Sequence, residues 1–436
     1  MNICFHSPRG LGGRMVAPPD KSITHRALML AGLASGTSRI GNPLNTGDCI
    51  STRRCLERLG VGIREIETCE GSFGLQIEGC GLRGLREPQD LLDAGNSGTT
   101  ARLLSGILAG RRMFTVLSGD DSLRARPMLR VVQPLRAMGA AIDGREHGRY
   151  LPLVFASDSG PLLSADIELE VASAQVKSAL MFAALRAEST VRLGGALASR
   201  DHTERIFDHL GLPMWWRHGR LNVDPVEEVP AFQIDVPGDL SSAAFFLTAA
   251  LISGGQLTVE QCGLNPTRLG FVHVLQRMGA EIRLEQCGSS GGEPSGRLHV
   301  SPATLRGVEI GGDMIPSCID EIPLLAVVGC FANGATIVRG AGELRLKESD
   351  RLAAVARLLK SVGGAIELSE DGFTVEGPQS LYAGRVDPGG DHRIAMAAAV
   401  LGAAIPEGVA VSGFECAEVS FPDFLATFRA LGGEVS

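Results

Sequence analysis

Two short segments of this 436-residue chain carry charged side chains at spacings that suit proton transfer and anion binding. The first, CIDEIP at residues 318–323, places Asp320 and Glu321 directly before the apolar run PLLAVVGC. A carboxylate at the start of a buried helix is costly unless it is paired, and burial and neighbouring charges tune it for work as a general base. The pattern therefore makes Asp320 a candidate base, with a plain helix N-cap as its alternative role.

The second segment, LKESDR at residues 346–351, is the densest charge cluster of the chain. Lys347 and Arg351 are four residues apart, and Glu348 and Arg351 are three apart. On a helix this spacing predicts one face with two cations and a carboxylate between them, which suits an anionic substrate. An ion-paired helix start that faces water is the alternative.

Further cations stand at the starts of predicted helices. In PPDKSITHR, Ser22 and Arg26 are four apart and share a helix face. A lysine in the first turn opposes the helix dipole, so we expect Lys21 to have a purpose other than helix stability. The other polar residues at such starts are Arg126, Gln175, Lys177, Arg200 and the run Asp391, His392, Arg393.

The stretch LDAGNSGTTARLLSGILAG, residues 91–109, has more polar residues than one helix start needs. Six small or polar residues run from Gly95 to Thr100, whereas a single Ser, Thr, Asn or Asp is enough for an N-cap. Gly98 allows the backbone to approach a ligand closely, and the hydroxyl groups add donors. The stretch predicts a phosphate cradle, with a helix that merely has surplus caps as the alternative; it lacks the spacing of a P-loop.

The part of this stretch that begins at Asn96 is one of six related segments. Each has a polar start followed by a helix rich in Ala and Leu, and we expect these helices to be buried. Their starts are 68 to 79 residues apart when measured from Lys21, Asn96, Ser173, Ser241, Asp320 and Asp391.

A second series of six helices alternates with the first, and each of its members ends before a glycine suited to a left-handed backbone. These glycines are Gly60, Gly139, Gly211, Gly279, Gly363 and Gly432. Short β-rich runs such as GLQIEG, GQLTVE and ATIVRG lie between the helices and predict strands. Six units of about 70 residues favour two domains of three units each, and a solenoid is the alternative.

Composition narrows the function classes. The net charge is −8 and no basic run occurs, which argues against non-specific nucleic-acid binding. The ten cysteines form no C-x-x-C pair, so we expect reduced thiols in a cytoplasmic protein. The N-terminus has no signal-peptide pattern and no run of eighteen apolar residues occurs, so we expect neither secretion nor membrane insertion.

Other site motifs are weak or absent. Residues 79–84, GCGLRG, fit G-x-G-x-x-G, but Pro88 breaks the helix that a dinucleotide site requires directly afterwards. His202 and His209 lack a matching set of acidic or cysteine ligands, so no metal site is predicted.

Nine motifs, in order along residues 10–430, resemble those of the 5-enolpyruvylshikimate-3-phosphate (EPSP) synthase family. They are PPDKSITHR, LDAGNSGTTARL, LRARPM, SAQVKSAL, GDLSSAAFF, IDEIP, LKESDRL, DHRIAM and SFPDF. The form of SAQVKSAL, together with Arg200 and ELRLKESDRL, is similar to the class II subgroup.

The resemblance implies an α/β protein with the two-domain enolpyruvyl transferase fold, an inside-out α/β barrel. Each domain would hold three copies of a ββαβαβ-type unit. The expected boundaries are 22–236 for the first domain and 1–21 plus 237–436 for the second. The buried helices would point their N-termini at an active site in the cleft between the domains, which substrates would close.

The reaction implied by the resemblance moves the enolpyruvyl group of phosphoenolpyruvate to the 5-hydroxyl of shikimate 3-phosphate and releases phosphate. Asp320 would be the base on the 5-hydroxyl, Glu348 and Lys21 would transfer protons, and His392 would assist. The residues expected to hold phosphoenolpyruvate are Lys21, Gly98, Arg126, Gln175, Arg351 and Arg393. Those expected to hold shikimate 3-phosphate are Ser22, Arg26, Ser173, Ala174, Arg200, Asp320 and Lys347. No metal or organic cofactor is implied, and we expect a monomer.

Two departures and two rival functions remain. Val419 stands where some members carry Lys, and Glu343 stands where others have Asn, which fits class II. The related enolpyruvyl transferase that acts on UDP-N-acetylglucosamine uses a loop cysteine in its first domain, and this chain has no Cys between residues 81 and 261. A non-catalytic repeat scaffold would explain six buried helices but not the cations at their starts.

Overall fold

The computed structural model describes residues 2–68, 71, 73–157 and 160–436. Cys69, one of the ten cysteines, lies outside the described residues. The chain divides into two compact units. The N-terminal unit comprises Pro19–Val236 and Ser289–Glu293, and the C-terminal unit comprises Met1–Pro18, Pro237–Gly288 and Pro294–Ser436.

The strands are short, and they recur along the whole described chain. In chain order they are β1 (Asn2–His6), β2 (Gly13–Val16), β3 (Ala34–Gly41), β4 (Gly62–Glu67), β5 (Phe73–Cys80), β6 (Leu92–Asp93), β7 (Thr115–Ser118), β8 (Ile142–Gly144), β9 (Tyr150–Phe155), β10 (Asp166–Leu169), β11 (Val191–Gly195), β12 (Met214–Arg217), β13 (Arg220–Val223), β14 (Val229–Pro230), β15 (Gln233–Asp235), β16 (Leu257–Gly263), β17 (Glu281–Ser290), β18 (Glu293–Ser301), β19 (Glu309–Ile310), β20 (Gly334–Val338), β21 (Glu367–Leu368), β22 (Phe373–Gly377), β23 (Gly384–Val386), β24 (Val409–Ser412) and β25 (Glu434–Val435).

The helices alternate with these strands. In chain order they are α1 (Lys21–Leu33), α2 (Gly47–Arg58), α3 (Gly98–Leu108), α4 (Asp121–Arg124), α5 (Leu129–Ala137), α6 (Arg145–Gly148), α7 (Ala174–Ala184), α8 (His202–His209), α9 (Leu240–Ser253), α10 (Gly270–Arg277), α11 (Ile315–Cys318), α12 (Ile322–Gly329), α13 (Arg351–Ser361), α14 (His392–Gly402) and α15 (Phe424–Ala430).

The described strands form six sheets that share one pattern, three in each unit. In each sheet the second strand pairs in parallel with the first and antiparallel with the third. In the N-terminal unit the orders are β14-β3-β5-β4 with β15 also on β3, β6-β7-β9-β8 and β10-β11-β13-β12. In the C-terminal unit they are β2-β16-β18-β17, β19-β20-β22-β21 and β23-β24-β1-β25.

One buried helix accompanies each sheet, as the Ala/Leu-rich segments predict. These helices are α1, α3 and α7 in the N-terminal unit, and α9, α12 and α14 in the C-terminal unit. Small residues let the helices approach closely: a Cβ added at Gly106 of α3 would lie 2.0 Å from the Ala179 carbonyl oxygen of α7. The two units have separate apolar cores, which is the expected outcome when each unit encloses its own three helices.

The second helix series is confirmed as α2, α5, α8, α10, α13 and α15. All six glycines predicted to follow these helices have positive φ, between 66° and 99°. Other residues rarely adopt that conformation, so glycine at these positions ends each helix at low energetic cost.

Two expectations about organisation need correction. The solenoid alternative is wrong, because β1 pairs with β24 from the far end of the chain, whereas solenoid repeats contact only their neighbours. The domain boundary after residue 21 is displaced, because Asp20 caps α1 and Lys21 is its first residue, so both belong with that helix in the N-terminal unit. The turn Ser289–Glu293 was also expected in the second domain and belongs to the N-terminal unit.

Candidate active site

In the N-terminal unit the candidate residues gather at the starts of the buried helices. Lys21 begins α1, and its ammonium group lies 3.1 Å from the carboxylate of Asp48 on α2. Asp20 accepts a hydrogen bond from the Ile23 amide and so caps α1. Lys21, in the first turn of the same helix, has a charge that opposes the helix dipole. The cation is therefore held in place by a partner, as its unfavourable position on the helix requires.

Arg26 lies deeper in the same helix and is only 2% exposed. Its guanidinium donates to the carbonyl of Ser22, to Thr203 Oγ1 and to Ser178 Oγ, over 2.7 to 2.9 Å. Burial lowers the pKa of Arg26 to about 10, and Glu204 and Asp20 oppose that shift. The prediction that Ser22 and Arg26 share one helix face is confirmed, because both lie on α1 four residues apart and Arg26 reaches back to the Ser22 carbonyl.

The stretch at residues 95–100 uses its polar residues for different tasks. Ser97 is the N-cap of α3 and accepts from the Thr100 amide. Asn96 Oδ1 accepts a hydrogen bond from the Arg126 guanidinium over 2.5 Å, and Asn96 Nδ2 donates one to the carboxylate of Asp120 over 2.6 Å. Only one residue of the stretch caps the helix, and its neighbours orient side chains around the helix start.

Arg102 brings Gln175 to the same place. Its guanidinium donates to Gln175 Oε1 over 2.7 Å, and Gln175 Nε2 donates to Thr99 Oγ1 over 3.0 Å. A Cβ added at Gly98 would lie 2.7 Å from Arg102 Nη1 and 3.7 Å from Arg126 Nη1. The absence of a side chain at Gly98 therefore lets two guanidinium groups lie close to the backbone at a helix N-terminus, an arrangement that suits a phosphate.

In the C-terminal unit, Asp320 lies among three cations and is 9% exposed. Its carboxylate oxygens are 3.6 Å from Lys347 Nζ, 3.4 Å from Arg351 Nη1 and 3.9 Å from Arg393 Nη2. Arg393 also donates to the backbone carbonyl of Asp320 over 3.1 Å. Cations at these distances favour the ionised carboxylate, which is the form that accepts a proton.

Arg351 is the most buried cation of this cluster. It donates to Asp391 over 2.9 Å and to Glu348 over 2.6 Å. Burial opposes its charge, but Asp391, Glu348 and Asp320 outweigh burial and raise the pKa of Arg351 above its ordinary value. Burial also opposes the charge on Asp391, where Arg351 and His392 outweigh it and lower the pKa of that carboxyl.

A second buried ion cluster lies at the starts of α9 and α12. Glu321 Oε1 accepts from Ser241 Oγ and lies 3.8 Å from both Arg268 Nη2 and Arg393 Nη1. Arg268 also lies 3.5 Å from Asp239, the N-cap of α9. Arg393 therefore contacts both Asp320 and Glu321, and it links the two ion clusters.

Two predictions about local structure at these motifs are wrong. LKESDR does not lie on one helix: α13 begins at Arg351, after its N-cap Asp350, and Lys347 is extended. The side chains still converge, because Glu348 and Lys347 reach Arg351 and Asp320 from the loop before the helix. The N-cap role for Asp320 is also wrong, because Asp320 lies in the 3₁₀ turn Ile319–Glu321 and Glu321 occupies the cap position of α12.

The remaining predicted residues lie at helix starts or in adjoining segments. Ser173 is the N-cap of α7, and Ala174 is its first residue. Arg200 is half-buried and precedes α8, whose N-cap is Asp201. Three other residues named in the sequence analysis lie elsewhere. His392 is the first residue of α14. Val419 ends the 3₁₀ segment Phe414–Val419, and Glu343 lies in the 3₁₀ segment Gly342–Leu346.

Sequence reasoning missed several of the partners. Arg102 carries a visible signal, a lone charge inside an Ala/Leu-rich helix, whereas Asp48 and Arg268 carry none and become partners only in the tertiary structure.

Two further findings concern function classes considered above. After β5, which contains the start of GCGLRG, the next helix is α3 at Gly98, so the segment lacks the helix of a dinucleotide site. Within residues 2–68, 71, 73–157 and 160–436, no helix is long and apolar enough to cross a membrane, and no group of three His, Cys, Asp or Glu side chains is placed to hold a metal ion.

Comparison with known proteins decides the family. Residues 6–428 match the family model described as EPSP synthase (3-phosphoshikimate 1-carboxyvinyltransferase). The chain belongs to the EPSP synthase family.

Relatives within the EPSP synthase family match nearly the full chain. The chain is 47% identical over 416 residues to the 3-phosphoshikimate 1-carboxyvinyltransferase of Thermus thermophilus, with 95% of each chain covered. It is 44% identical over 422 residues to that of Alkaliphilus metalliredigens, with 97% of each covered. A solved EPSP synthase from Acinetobacter baumannii matches with a TM-score of 0.86 and 34% identity, covering 100% of this chain and 99% of the other. The predicted enolpyruvyl transferase fold is confirmed by this likeness.

Proposed function

We propose specific residue roles through which this chain carries out the reaction of the EPSP synthase family. That reaction transfers the enolpyruvyl group of phosphoenolpyruvate to the 5-hydroxyl of shikimate 3-phosphate and releases phosphate. The observation that carries the proposal is Asp320, a nearly buried carboxyl group surrounded by Lys347, Arg351 and Arg393. One base beside several cations is the combination needed to activate a hydroxyl next to anionic substrates.

Asp320 accepts the proton of the 5-hydroxyl group while the hydroxyl oxygen bonds to the central carbon of phosphoenolpyruvate. The methylene carbon must gain a proton in the addition and lose one when phosphate leaves. We assign these transfers to Glu348 and Lys21. Glu348 is supported by its 2.6 Å contact with Arg351, which keeps the carboxylate beside the cation cluster.

The donor phosphoenolpyruvate is held by cations and by one tight backbone position. In the N-terminal unit the close approach of Arg102 and Arg126 to Gly98, at the start of α3, supports a phosphate-binding role. The residues assigned to the donor are Lys21, Gly98, Arg126, Gln175, Arg351 and Arg393.

The acceptor shikimate 3-phosphate is assigned to residues on α1, α7 and the segment before α8, together with Asp320 and Lys347. Arg26 uses three of its five N–H groups for hydrogen bonds within the protein, so it both shapes the site and retains donors for the acceptor. The other members of this set are Ser22, Ser173, Ala174 and Arg200.

We further assign the protein to the cytoplasm as a monomer without an organic cofactor. Nine cysteines among the described residues are free thiols, which fits a reducing compartment. Light scattering at working concentration tests the monomer. The position of the active site between the two domains stays a prediction from the family resemblance.

The deciding experiment measures phosphate release with phosphoenolpyruvate and either shikimate 3-phosphate or UDP-N-acetylglucosamine. We expect release only with shikimate 3-phosphate, and a loss of about 100-fold or more in Asp320→Asn. The exposed Asp313→Asn, seven residues upstream, is the matched control and keeps wild-type activity. Release only with the sugar nucleotide would overturn the acceptor, and no release with either would favour the non-catalytic scaffold.

A further inference from the structure

Four buried polar side chains of the N-terminal unit form two hydrogen-bonded pairs, which are joined by the neighbouring residues His202 and Thr203 and lie next to the proposed acceptor residues. We call this group the His202 network; it consists of Ser178 on α7, His202 and Thr203 at the start of α8, and Glu293 at the start of β18. All four are at most 2% exposed, and none belongs to the predicted site. Buried polar groups are costly unless they are hydrogen-bonded, so the hydrogen bonds of this group hold together the elements that carry them, although His202 Nε2 has no partner among the described residues.

The direction of each hydrogen bond follows from the supply of protons. Ser178 has one hydroxyl proton and donates it to the Ala174 carbonyl over 2.6 Å. Thr203 must therefore be the donor in its 2.6 Å contact with Ser178, and its own oxygen accepts from Arg26 Nε over 2.7 Å. The chain of donors runs from Arg26 through Thr203 and Ser178 to the first residue of α7, and Arg26 Nη2 also donates to Ser178 Oγ.

Glu293 holds His202, the residue that precedes Thr203. Its carboxylate accepts from His202 Nδ1 over 2.7 Å, which places the imidazole proton on Nδ1. His202 precedes Thr203 directly and follows Arg200 by two residues. The turn that presents Glu293 is itself held, because Arg205 donates to the Gly292 carbonyl and the Asp235 amide donates to Ser290 Oγ.

We propose that Thr203 and Glu293 are positioning residues for shikimate 3-phosphate, which act by holding Arg26, Arg200 and the first turn of α7 in their binding geometry. This inference rests on the acceptor-binding roles proposed above for Ser22, Arg26, Ala174 and Arg200. Neither Thr203 nor Glu293 contacts the reacting atoms in this scheme. Among the donor residues only Gln175 lies on this turn, and Arg102 and Thr99 hold its side chain separately. We therefore expect the effect to fall on the acceptor and to leave the donor residues around Gly98 and Arg126 in place.

The test compares variants that remove one link at a time. Thr203→Val keeps the shape and removes the hydroxyl, and Thr203→Ser restores the hydroxyl. We expect Thr203→Val to raise KM and the calorimetric Kd for shikimate 3-phosphate at least tenfold, with KM for phosphoenolpyruvate and kcat within about threefold of wild type. Thr203→Ser returns the acceptor affinity to within about threefold. The matched control is Thr248→Val, which removes another fully buried helical hydroxyl in the C-terminal unit.

Glu293 is tested with two variants of graded effect. Glu293→Gln keeps an acceptor for His202 Nδ1 and loses the charge, whereas Glu293→Ala loses both, so we expect a larger rise in acceptor Kd for Ala than for Gln. The control is Glu434→Gln, which changes a surface His–Glu contact with His6 at 3.1 Å. If Glu293→Ala does not fold, the Gln variant and the Thr203 series decide.

Arg26→Lys separates failure of this inference from failure of the proposed roles. Weaker acceptor binding in Arg26→Lys, with unchanged binding in Thr203→Val and Glu293→Gln, would overturn the inference alone. Unchanged binding in Arg26→Lys would overturn the role of Arg26 on which the inference rests. Equal losses for donor and acceptor in Thr203→Val would show a general structural role and overturn acceptor-specific positioning.

Discussion

Arg351 and Asp391 form a buried ion pair in which Arg351 Nε donates to Asp391 Oδ2 over 2.9 Å. Asp391 is also the N-cap of α14 and accepts from the Arg393 amide over 3.0 Å. One carboxylate thus fixes the positions of two cations that the proposed reaction uses. Burial opposes its charge, but Arg351 and His392 outweigh burial and lower the pKa of Asp391, which keeps the carboxylate ionised at neutral pH.

We predict that Asp391→Asn lowers the free energy of unfolding by about 3 kcal/mol, because it removes the fully buried carboxylate of an ion pair and leaves the buried guanidinium with less compensating charge. The Asn side chain still caps α14, so the loss reports the charge and not the cap. Asp350→Asn is the control: it changes the neighbouring N-cap, whose partner Arg345 is partly exposed, and we expect a loss below about 1 kcal/mol. Denaturant unfolding measures both, and equal losses would contradict the prediction.

Gly98→Ala is predicted to weaken phosphoenolpyruvate binding. The added methyl would lie 2.7 Å from Arg102 Nη1, so the guanidinium must move and its hydrogen bond to Gln175 is strained. We expect KM for phosphoenolpyruvate to rise about tenfold, which corresponds to ~1.4 kcal/mol, with KM for shikimate 3-phosphate little changed.

The control for this change is Gly288→Ala, an exposed strand position where the new methyl meets Ser295 Oγ only at 3.9 Å. Steady-state kinetics with each substrate varied in turn gives both constants. A rise in the acceptor KM alone would contradict the placement of the donor phosphate beside Gly98.

Lys21→Met is predicted to lower kcat by about 100-fold or more while it changes stability by about 1 kcal/mol. The methionine keeps an unbranched apolar side chain and removes a cation that opposes the helix dipole, so the loss of its pair with Asp48 is partly offset. Lys360→Met, at the exposed end of α13, is the matched control. Activity within threefold of wild type would remove Lys21 from both of its proposed roles.

His25 makes the N-terminal unit sensitive to acid. Burial lowers the pKa of His25 from 6.5 to about 3, and its ring contacts Thr52 Oγ1 at 2.7 Å. Between these values the unfolded chain binds a proton that the folded chain does not. Stability from this site is therefore fully present above pH 6.5 and falls, by up to about 1.4 kcal/mol per pH unit, as pH drops towards 3.

The measurement is urea unfolding at pH 7, 6 and 5, followed by the fluorescence of Trp215 and Trp216, both of which lie in the N-terminal unit. We expect His25→Asn to show a smaller loss of stability between pH 7 and 5 than wild type. His209→Asn, which changes an exposed histidine at the end of α8, should keep the wild-type dependence. Parallel pH dependences for wild type and His25→Asn would refute the assignment to His25.

Much of the architecture could be predicted from the sequence, because elements that are buried in a repeating pattern have apolar residues in a repeating pattern. The six buried helices repeat as Ala/Leu-rich runs, and the second series ends at glycines such as Gly60 and Gly432 that have positive φ. These features are local: they depend on 3.6-residue periodicity and on the steric freedom of a single residue. The family resemblance then supplied the reaction and the site residues.

Contacts between distant segments were decided only by the tertiary structure. The sequence placed Lys347, Glu348 and Arg351 on one helix face, but the helix starts at Arg351 and the loop before it brings the other two side chains to Arg351 and Asp320. A charged residue in a loop carries no periodic signal, so its partner depends on how the elements pack.

The pairs Lys21–Asp48 and His202–Glu293 show the same limit at longer range. Their members are 27 and 91 residues apart, and the sequence around one member does not predict its partner. What the sequence determined is the identity of the reactive groups and the helices that carry them. What the tertiary structure decided is which opposite charges share a buried volume, because Coulomb interactions depend on distance in space and not along the chain.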